Sequence, residues 1–395
     1  MIGFDEALAL LTSSVRCVLG TEQVPLAQAH GRVLAEPIHA AISSPRCAVS
    51  AMDGYALRNA DALRGASYRI VGESFAGGEL PPAVRIGECA RIFTGAAMPE
   101  GTDRVVMQEN CIAGGDVMKI TGPFGPGWHV RDAASDFAEG DLLLQPGTLL
   151  TPRAIVTLAG ADQPAALVYK KPRVAIIATG DELVPPGAAR ATPRSIPESV
   201  SCGVAAMAEQ YGATIEARLW GNDDLLSLQR LAGRALAIAN VVIVTGGASV
   251  GERDHANAMF AEQELELLFS KVAIKPGKPV WIGRSQGRWV VGLPGNPVSA
   301  MVTARLFLVP MLALLEGRRA GDVLSWLSLP LAGPMPEPGN RTTFVRASMA
   351  EYGLVPLDQQ DSAAQAALAA ADWLVRSDPG DAHLPASGTV RALRF

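Results

Sequence analysis

Between residues 172 and 318 the chain alternates short apolar runs with longer amphipathic ones, and that alternation admits few folds. Val174 to Ala178, Thr214 to Trp220 and Val241 to Val244 read as strands; Ser199 to Tyr211, Asp223 to Ala237 and Ala256 to Leu268 read as helices. Strands joined by helical crossovers pair in parallel, so the pattern predicts a doubly wound α/β sheet with helices on both faces. Further strands at Val272 to Ile274, Val280 to Gly283 and Trp289 to Gly292 lead into a long apolar helix, Val298 to Leu315, kinked at Arg305 and Pro310.

The flanks have a different texture. A helix is expected at Phe4 to Leu19 and a shorter one at Leu26 to Ala35. From Ser43 to about Phe137 the chain is rich in Gly and Pro, with alternating runs at Cys89 to Phe93, Arg104 to Gln108 and Val117 to Thr121. That reads as an inserted β-rich module spanning 43–139. An extended stretch, Asp141 to Thr151, and a helix, Pro152 to Gly160, are expected to return to the N-terminal helix. Residues 1–42 and 140–171 would then form one discontinuous domain. After the α/β domain at 172–318, residues 319–395 carry five short strand patterns, with a helix at Ala363 to Ala371, and predict a small β-barrel-like domain.

Composition narrows the function classes. A formal net charge of −5 and a pI near 5.7 argue against a duplex nucleic-acid binder, which needs a basic face to displace counterions. The five cysteines are widely spaced without a Cys-x-x-Cys pair, and neither they nor the five histidines show zinc-ligand spacing. The first twenty residues, acidic early, lack the pattern of a secretory signal. With the apolar helix interrupted by Arg305 and Pro310, the expectation is a cytoplasmic protein with no membrane span.

Three loops near strand ends look built for an anion: Thr245-Gly246-Gly247-Ala248-Ser249-Val250-Gly251, the Lys-Pro-Gly-Lys-Pro run at 275–279, and Gly292-Leu293-Pro294-Gly295-Asn296-Pro297. Small residues let backbone N–H groups approach a ligand, and Pro297 with Asn296 as cap would open a helix whose positive end faces the loop. Lys275 and Lys278 add full charge. Glu182, Asp223 and Asp254 each follow a strand, so a doubly wound sheet would carry them to one rim. Carboxylates beside phosphate-binding loops suit Mg²⁺. Taken singly, Asp53-Gly54 also fits a hairpin turn, Asp223 a helix cap, and Thr94 before Gly95 an ordinary turn.

Several longer motifs run in order along nearly the whole chain. They are Ala51-Met52-Asp53-Gly54-Tyr55-Ala56, Thr94-Gly95 with Met98-Pro99, Val105-Val106-Met107-Gln108-Glu109, Thr179-Gly180-Asp181-Glu182-Leu183, Gly246-Gly247 with Ser249-Val250-Gly251, and the two Pro-rich loops. Together they resemble the molybdopterin molybdenumtransferases, the MoeA type related to the gephyrin E domain. The resemblance implies a four-domain homodimer that inserts molybdate into adenylylated molybdopterin with release of AMP, using Mg²⁺. It maps functional positions onto Asp53, Thr94, Asp136, Glu182, Asp223, Asp254, Lys271, Lys275, Lys278, Pro294 and Pro297, all retained in type. In that frame Glu182, Asp223 and Asp254 hold the metal, and Gly246, Gly247, Ser249, the lysines and Pro294 to Pro297 bind the substrate. Asp53, Thr94 and Asp136 complete the cleft across the dimer. Transient partners would be the adenylyltransferase and acceptor molybdoenzymes.

The chain departs from the family pattern at Glu198-Ser199-Val200, where an amide is usual in place of Val200, and at Ala48, Ala133, Ala134 and Gln360 to Ala363. These departures motivate an alternative, a non-catalytic carrier of molybdopterin. A stand-alone adenylyltransferase would lack the inserted module and the β-rich tail.

Overall fold

The computed structural model describes residues 1–246, 258–337, 339–381 and 388–395. Its centre is a six-stranded sheet. Label its strands β1 (Arg173–Thr179), β2 (Thr214–Gly221), β3 (Val241–Thr245), β4 (Glu266–Ser270), β5 (Trp281–Ser285) and β6 (Arg288–Leu293); their order across the sheet is β2-β1-β3-β6-β5-β4. Strands β2, β1, β3 and β6 are parallel, as the alternation predicts. Successive residues point to opposite faces, and both faces are buried. Val174, Ile176 and Ile243 join one apolar cluster, while Ala175, Ile177 and Val242 join another.

The helices follow from their apolar spacing. Helix α1 (Val200–Gln210) buries Val200, Val204 and Ala208, and helix α2 (Leu225–Ile238) buries Leu228, Ala232, Ala235 and Leu236. Asp224, one residue later than expected, caps α2 by accepting from the Ser227 N–H at 2.9 Å. Helix α3 (Pro297–Leu315) runs nineteen residues and is 89 % buried. It is long and apolar enough to cross a membrane by length and composition, yet here it is packed inside the fold. It does not break at Arg305. A π-helical turn at Ala304–Leu308 widens the backbone just ahead of Pro310, whose ring would otherwise meet the carbonyl four residues back.

Two expectations for this region are corrected. The helix read at 256–268 is, where described, a 3-10 segment at Ala258–Gln263 followed by strand β4. Glu264 takes φ 56° and ends the helical path, after which the chain runs extended against β5 with a bulge between Leu267 and Phe269. The sheet is also mixed, because β5 turns back on β6 through Gln286 and Gly287, both at positive φ, and β4 adds another antiparallel edge. The segment read as a strand at 272–274 contributes Ile274–Lys275 to a different sheet, where it pairs with Thr342–Ala350.

That second sheet is C-terminal. Thr342–Ala350, Trp373–Ser377, Thr389–Arg394 and Leu327–Pro330 pair in sequence as antiparallel neighbours, with Gly353–Pro356 folded back on the first. A bridge between Leu331 and Leu354 joins the two outer strands. The expected helix at 363–371 shrinks to Gln365–Leu368. A third six-stranded sheet spans Gly54 to Ile120 and includes the three runs read from the sequence.

At the N-terminus the helix covers Phe4–Ser14 and stops where Val15 goes extended. It packs on the α/β core, not on 141–160: Phe4 stacks edge-on with Phe307 of α3 and with Phe344 of the C-terminal sheet. Residues 21–39 pair instead with 142–169 around Leu34, Leu150 and Leu158. The short helix read at 26–35 is a single 3-10 turn, Leu26–Gln28, since Gly31 at φ 74° turns the chain away.

Candidate active site

Strand order reverses between β1 and β3: the chain leaves β1 toward β2 and then crosses to β3 on the other side. Crevices at such switch points, outside the carboxyl ends of the strands, are where open α/β sheets bind ligands. A cavity of about 720 Å³ opens there. Thr179 and Gly180 at the end of β1, Asp223 after β2, Thr245 and Gly246 at the end of β3, and Pro294 to Pro297 after β6 line it.

Glycine is required where these loops cross. Gly246 sits at φ 92°, and a Cβ there would lie 2.5 Å from the Thr179 carbonyl oxygen. Gly295 in turn lies against the Gly246 α-carbon. Thr179 Oγ1 donates to the Thr245 carbonyl oxygen at 3.5 Å, tying the two strand ends together.

Charge is distributed around this frame. Glu182 and Asp223 both line the cavity, and Asp181 Oδ1 accepts from the Asp223 N–H at 3.0 Å, bringing the β1 and β2 loops together. Lys271 and Lys278 line the cavity as well. Lys271 holds φ 59°, a conformation that costs a non-glycine residue of order 1–3 kcal/mol and recurs at functional sites. Lys275 is not among the lining residues; it belongs to the strand that pairs with the C-terminal sheet.

The start of α3 differs in detail from the sequence expectation. Asn296 occupies the cap position, but its side-chain amide donates to Ser362 Oγ at 3.1 Å and caps nothing. The Val298 N–H donates to the Ser362 carbonyl oxygen. A C-terminal loop is therefore docked on the mouth of the helix, and its Ala363 and Gln365 line the cavity. Buried Arg346 fixes that loop by donating to the Gln359 and Asp361 carbonyl oxygens, while Gln360 bonds back to the Arg346 N–H and carbonyl. The stretch 360–363, a departure from the family pattern, thus borders the cavity.

Glu198, Ser199 and Val200 also line the cavity. Glu198 is buried and accepts from the N–H and hydroxyl of Ser201 at the start of α1. Three further sequence candidates lie in the 43–139 region, away from the lining residues. Asp53 Oδ1 accepts from both the Thr94 N–H and its hydroxyl at 2.7 Å, and the backbone donor foremost holds its carboxyl below the usual range. Asp53-Gly54 is no hairpin turn, since Gly54 begins a strand. The Asp136 N–H donates to the Ser44 carbonyl. Gly247, Ser249 and Asp254 lie outside the described residues.

Residues 2–161 match the family described as "MoeA N-terminal region (domain I and II)", and residues 175–314 match "Probable molybdopterin binding domain". A molybdopterin molybdenumtransferase of Nostoc sp. is 35 % identical over 339 residues, 83 % of this chain and 77 % of the relative. The chain belongs to the molybdopterin molybdenumtransferase family. Its counterpart from Haemophilus influenzae is 33 % identical over 81 % of this chain and 79 % of the relative. Crystal structures of the MoeA protein from Pyrococcus horikoshii superpose over the whole chain. One has a TM-score of 0.87 at 25 % identity and the other 0.81 at 28 %, covering 100 % and 99 % of those chains. The chain is an enzyme of this family with a multidomain α/β architecture.

Proposed function

We propose that the protein acts in molybdenum cofactor biosynthesis, inserting molybdate into adenylylated molybdopterin with release of AMP, in an Mg²⁺-dependent reaction. The observation that carries this reading is a single cavity at the sheet's switch point that gathers Glu182, Asp223, Lys271 and Lys278 with glycine-lined strand ends. Molybdate is a dianion, and breaking the phosphoanhydride develops further negative charge on the leaving AMP. The two ammonium groups and the backbone N–H groups of Gly295 and Asn296 would stabilise that charge, and such preorganised donors are usually the largest catalytic contribution.

Glu182 and Asp223 fit Mg²⁺ as a donor set. Mg²⁺ commonly takes one or two carboxylates and completes its shell with water and substrate phosphate, and among the described residues no group of three or more ligands forms a protein cage. Bound there, the ion would neutralise charge on the scissile phosphate. Asp254, Gly247 and Ser249 belong to the same proposed site. The reading also divides the chain into four domains, at 1–42 with 140–171, 43–139, 172–318 and 319–395, the helix Phe4–Ser14 of the first reaching across to pack on the third. It assigns the protein to the cytoplasm as a homodimer, visited by the adenylyltransferase and by acceptor molybdoenzymes. Asp53, Thr94 and Asp136 would complete the cleft from the second copy.

The test is to mix purified protein, adenylylated molybdopterin, Mg²⁺ and molybdate, and to follow AMP. Molybdate-dependent AMP release is expected. Val200 on the cavity wall favours the second reading, a carrier, and tight substrate binding without AMP release would establish it in place of the first. Mixing Asp53→Ala and Asp223→Ala proteins, each inactive alone, should restore part of the activity; no recovery would sink the cross-subunit cleft.

A further inference from the structure

A second cavity, of about 460 Å³, shares no lining residue with the first. It lies at the far end of α3, roughly 28 Å along the helix from Pro297 at 1.5 Å per residue. Its walls come from Gly31 and Leu149 of the paired 21–39 and 142–169 segments, Tyr211 and Gly212 after α1, Arg305 and Glu316 on and after α3, and Leu393 in the last strand. The volume falls in the range of small-molecule sites.

Glu316 is the informative residue. It is 4 % exposed, lines this cavity, and makes no hydrogen bond or salt bridge among the described residues. Its carboxylate lies over the bare α-carbon of Gly212, where a Cβ would come within 2.4 Å of Oε1. Buried carboxylates are ordinarily paired, because desolvating the charge is costly. Burial pushes this carboxyl up to about 7, against the pull of Arg318, Lys171 and Arg32. Arg305, in the same wall, does not pair with it, and its Nη1 is buried without a partner among the described residues. Its Nε and Nη2 donate to the Arg394 and Val323 carbonyls, and its guanidinium lies over the Tyr211 ring.

The rest of the wall is mixed in charge: Glu209 and Asp322 line it beside the cations, and Asp322 pairs with Arg319. Lys171 and Arg318 line the cavity, and neither forms a salt bridge or a side-chain hydrogen bond among the described residues. An unpaired carboxylate and an unpaired guanidinium N–H inside, with Lys171 and Arg318 unpaired on the wall, suit a ligand carrying both signs. We propose that this cavity binds a small zwitterion, its amine or guanidinium on Glu316 and its carboxylate or phosphate on Lys171 and Arg318. The site is independent of the proposed transferase reading.

L-arginine is a suitable probe, with agmatine for the cationic end alone and glutarate for the anionic end alone. Calorimetric titration of the full chain should give saturable 1:1 binding of L-arginine in the millimolar range or tighter. Both single-ended compounds should bind at least about tenfold more weakly, the loss of roughly one charge-assisted contact. Glu316→Gln and Lys171→Ala should each weaken L-arginine by a comparable factor, while Lys278→Ala leaves it unchanged. Lys171 is exposed, so its variant reports even if Glu316→Gln fails to fold. No saturation by about 10 mM, or unaltered binding in Lys171→Ala, would overturn the proposal.

Discussion

The two cavities stand at opposite ends of one helix and are built by different means. The one at the start of α3 is made from turns, with Gly246, Gly295 and Pro294 bringing main chain close and Lys271, Lys278, Glu182 and Asp223 set around it. The one at the end is made from side chains contributed by many separate segments, around a buried carboxylate. The first is a property of a sheet edge, and its charges sit on exposed loops. The second is a property of a junction, and its charge sits inside. Removing a charge should therefore alter turnover at the first and alter the pH response of folding at the second.

The largest expected effect is at the first. Lys278→Ala should lower kcat/KM for AMP release by about 10²- to 10³-fold, as for loss of one preorganised donor, with an unchanged melting temperature. A wild-type rate would remove the lysine from the site. Glu316→Gln should reverse that profile. Because the folded carboxyl titrates near 7 and an unfolded one near 4.5, its favourable contribution is full below about pH 4.5 and is lost as pH rises through 7. Wild type should lose about 3 kcal/mol across that window relative to the variant. Parallel stability curves from pH 4 to 8 would contradict the burial argument. The smallest effect sharpens the contrast at the first cavity's mouth. Ser362→Ala removes the acceptor for Asn296 and should raise KM about fivefold, the worth of one hydrogen bond, leaving kcat alone.

What was legible in the sequence tracks what is local. The strand ends at Thr179-Gly180 and Thr245-Gly246 and the Pro-Gly-Asn-Pro turn announce themselves, because each needs its own residue types to make its own bend. The helix Pro152–Gly160 and the strand Trp373–Ser377 matched their patterns for the same reason. Strand β4 was read as helix because Glu264, the residue that stops the helix, carries no sequence mark of its left-handed turn. The docking of Ser362 on α3 and the pairing of Lys275 with Thr343 were out of reach, since both join segments about 66 residues apart or more through contacts no local period encodes. The packing of Phe4 on Phe344 is of the same kind. So is the second cavity, which no stretch of chain contains.

One such pairing has a mechanical consequence. The segment from Lys271 to Lys278 leaves the central sheet at β4, lends Ile274 and Lys275 to the C-terminal sheet, and returns at β5. It is a span footed on two piers, with both cavity-lining ammonium groups riding on it. A swing of the C-terminal pier would pull on the span itself, so widening the entrance would carry both ammonium groups with it.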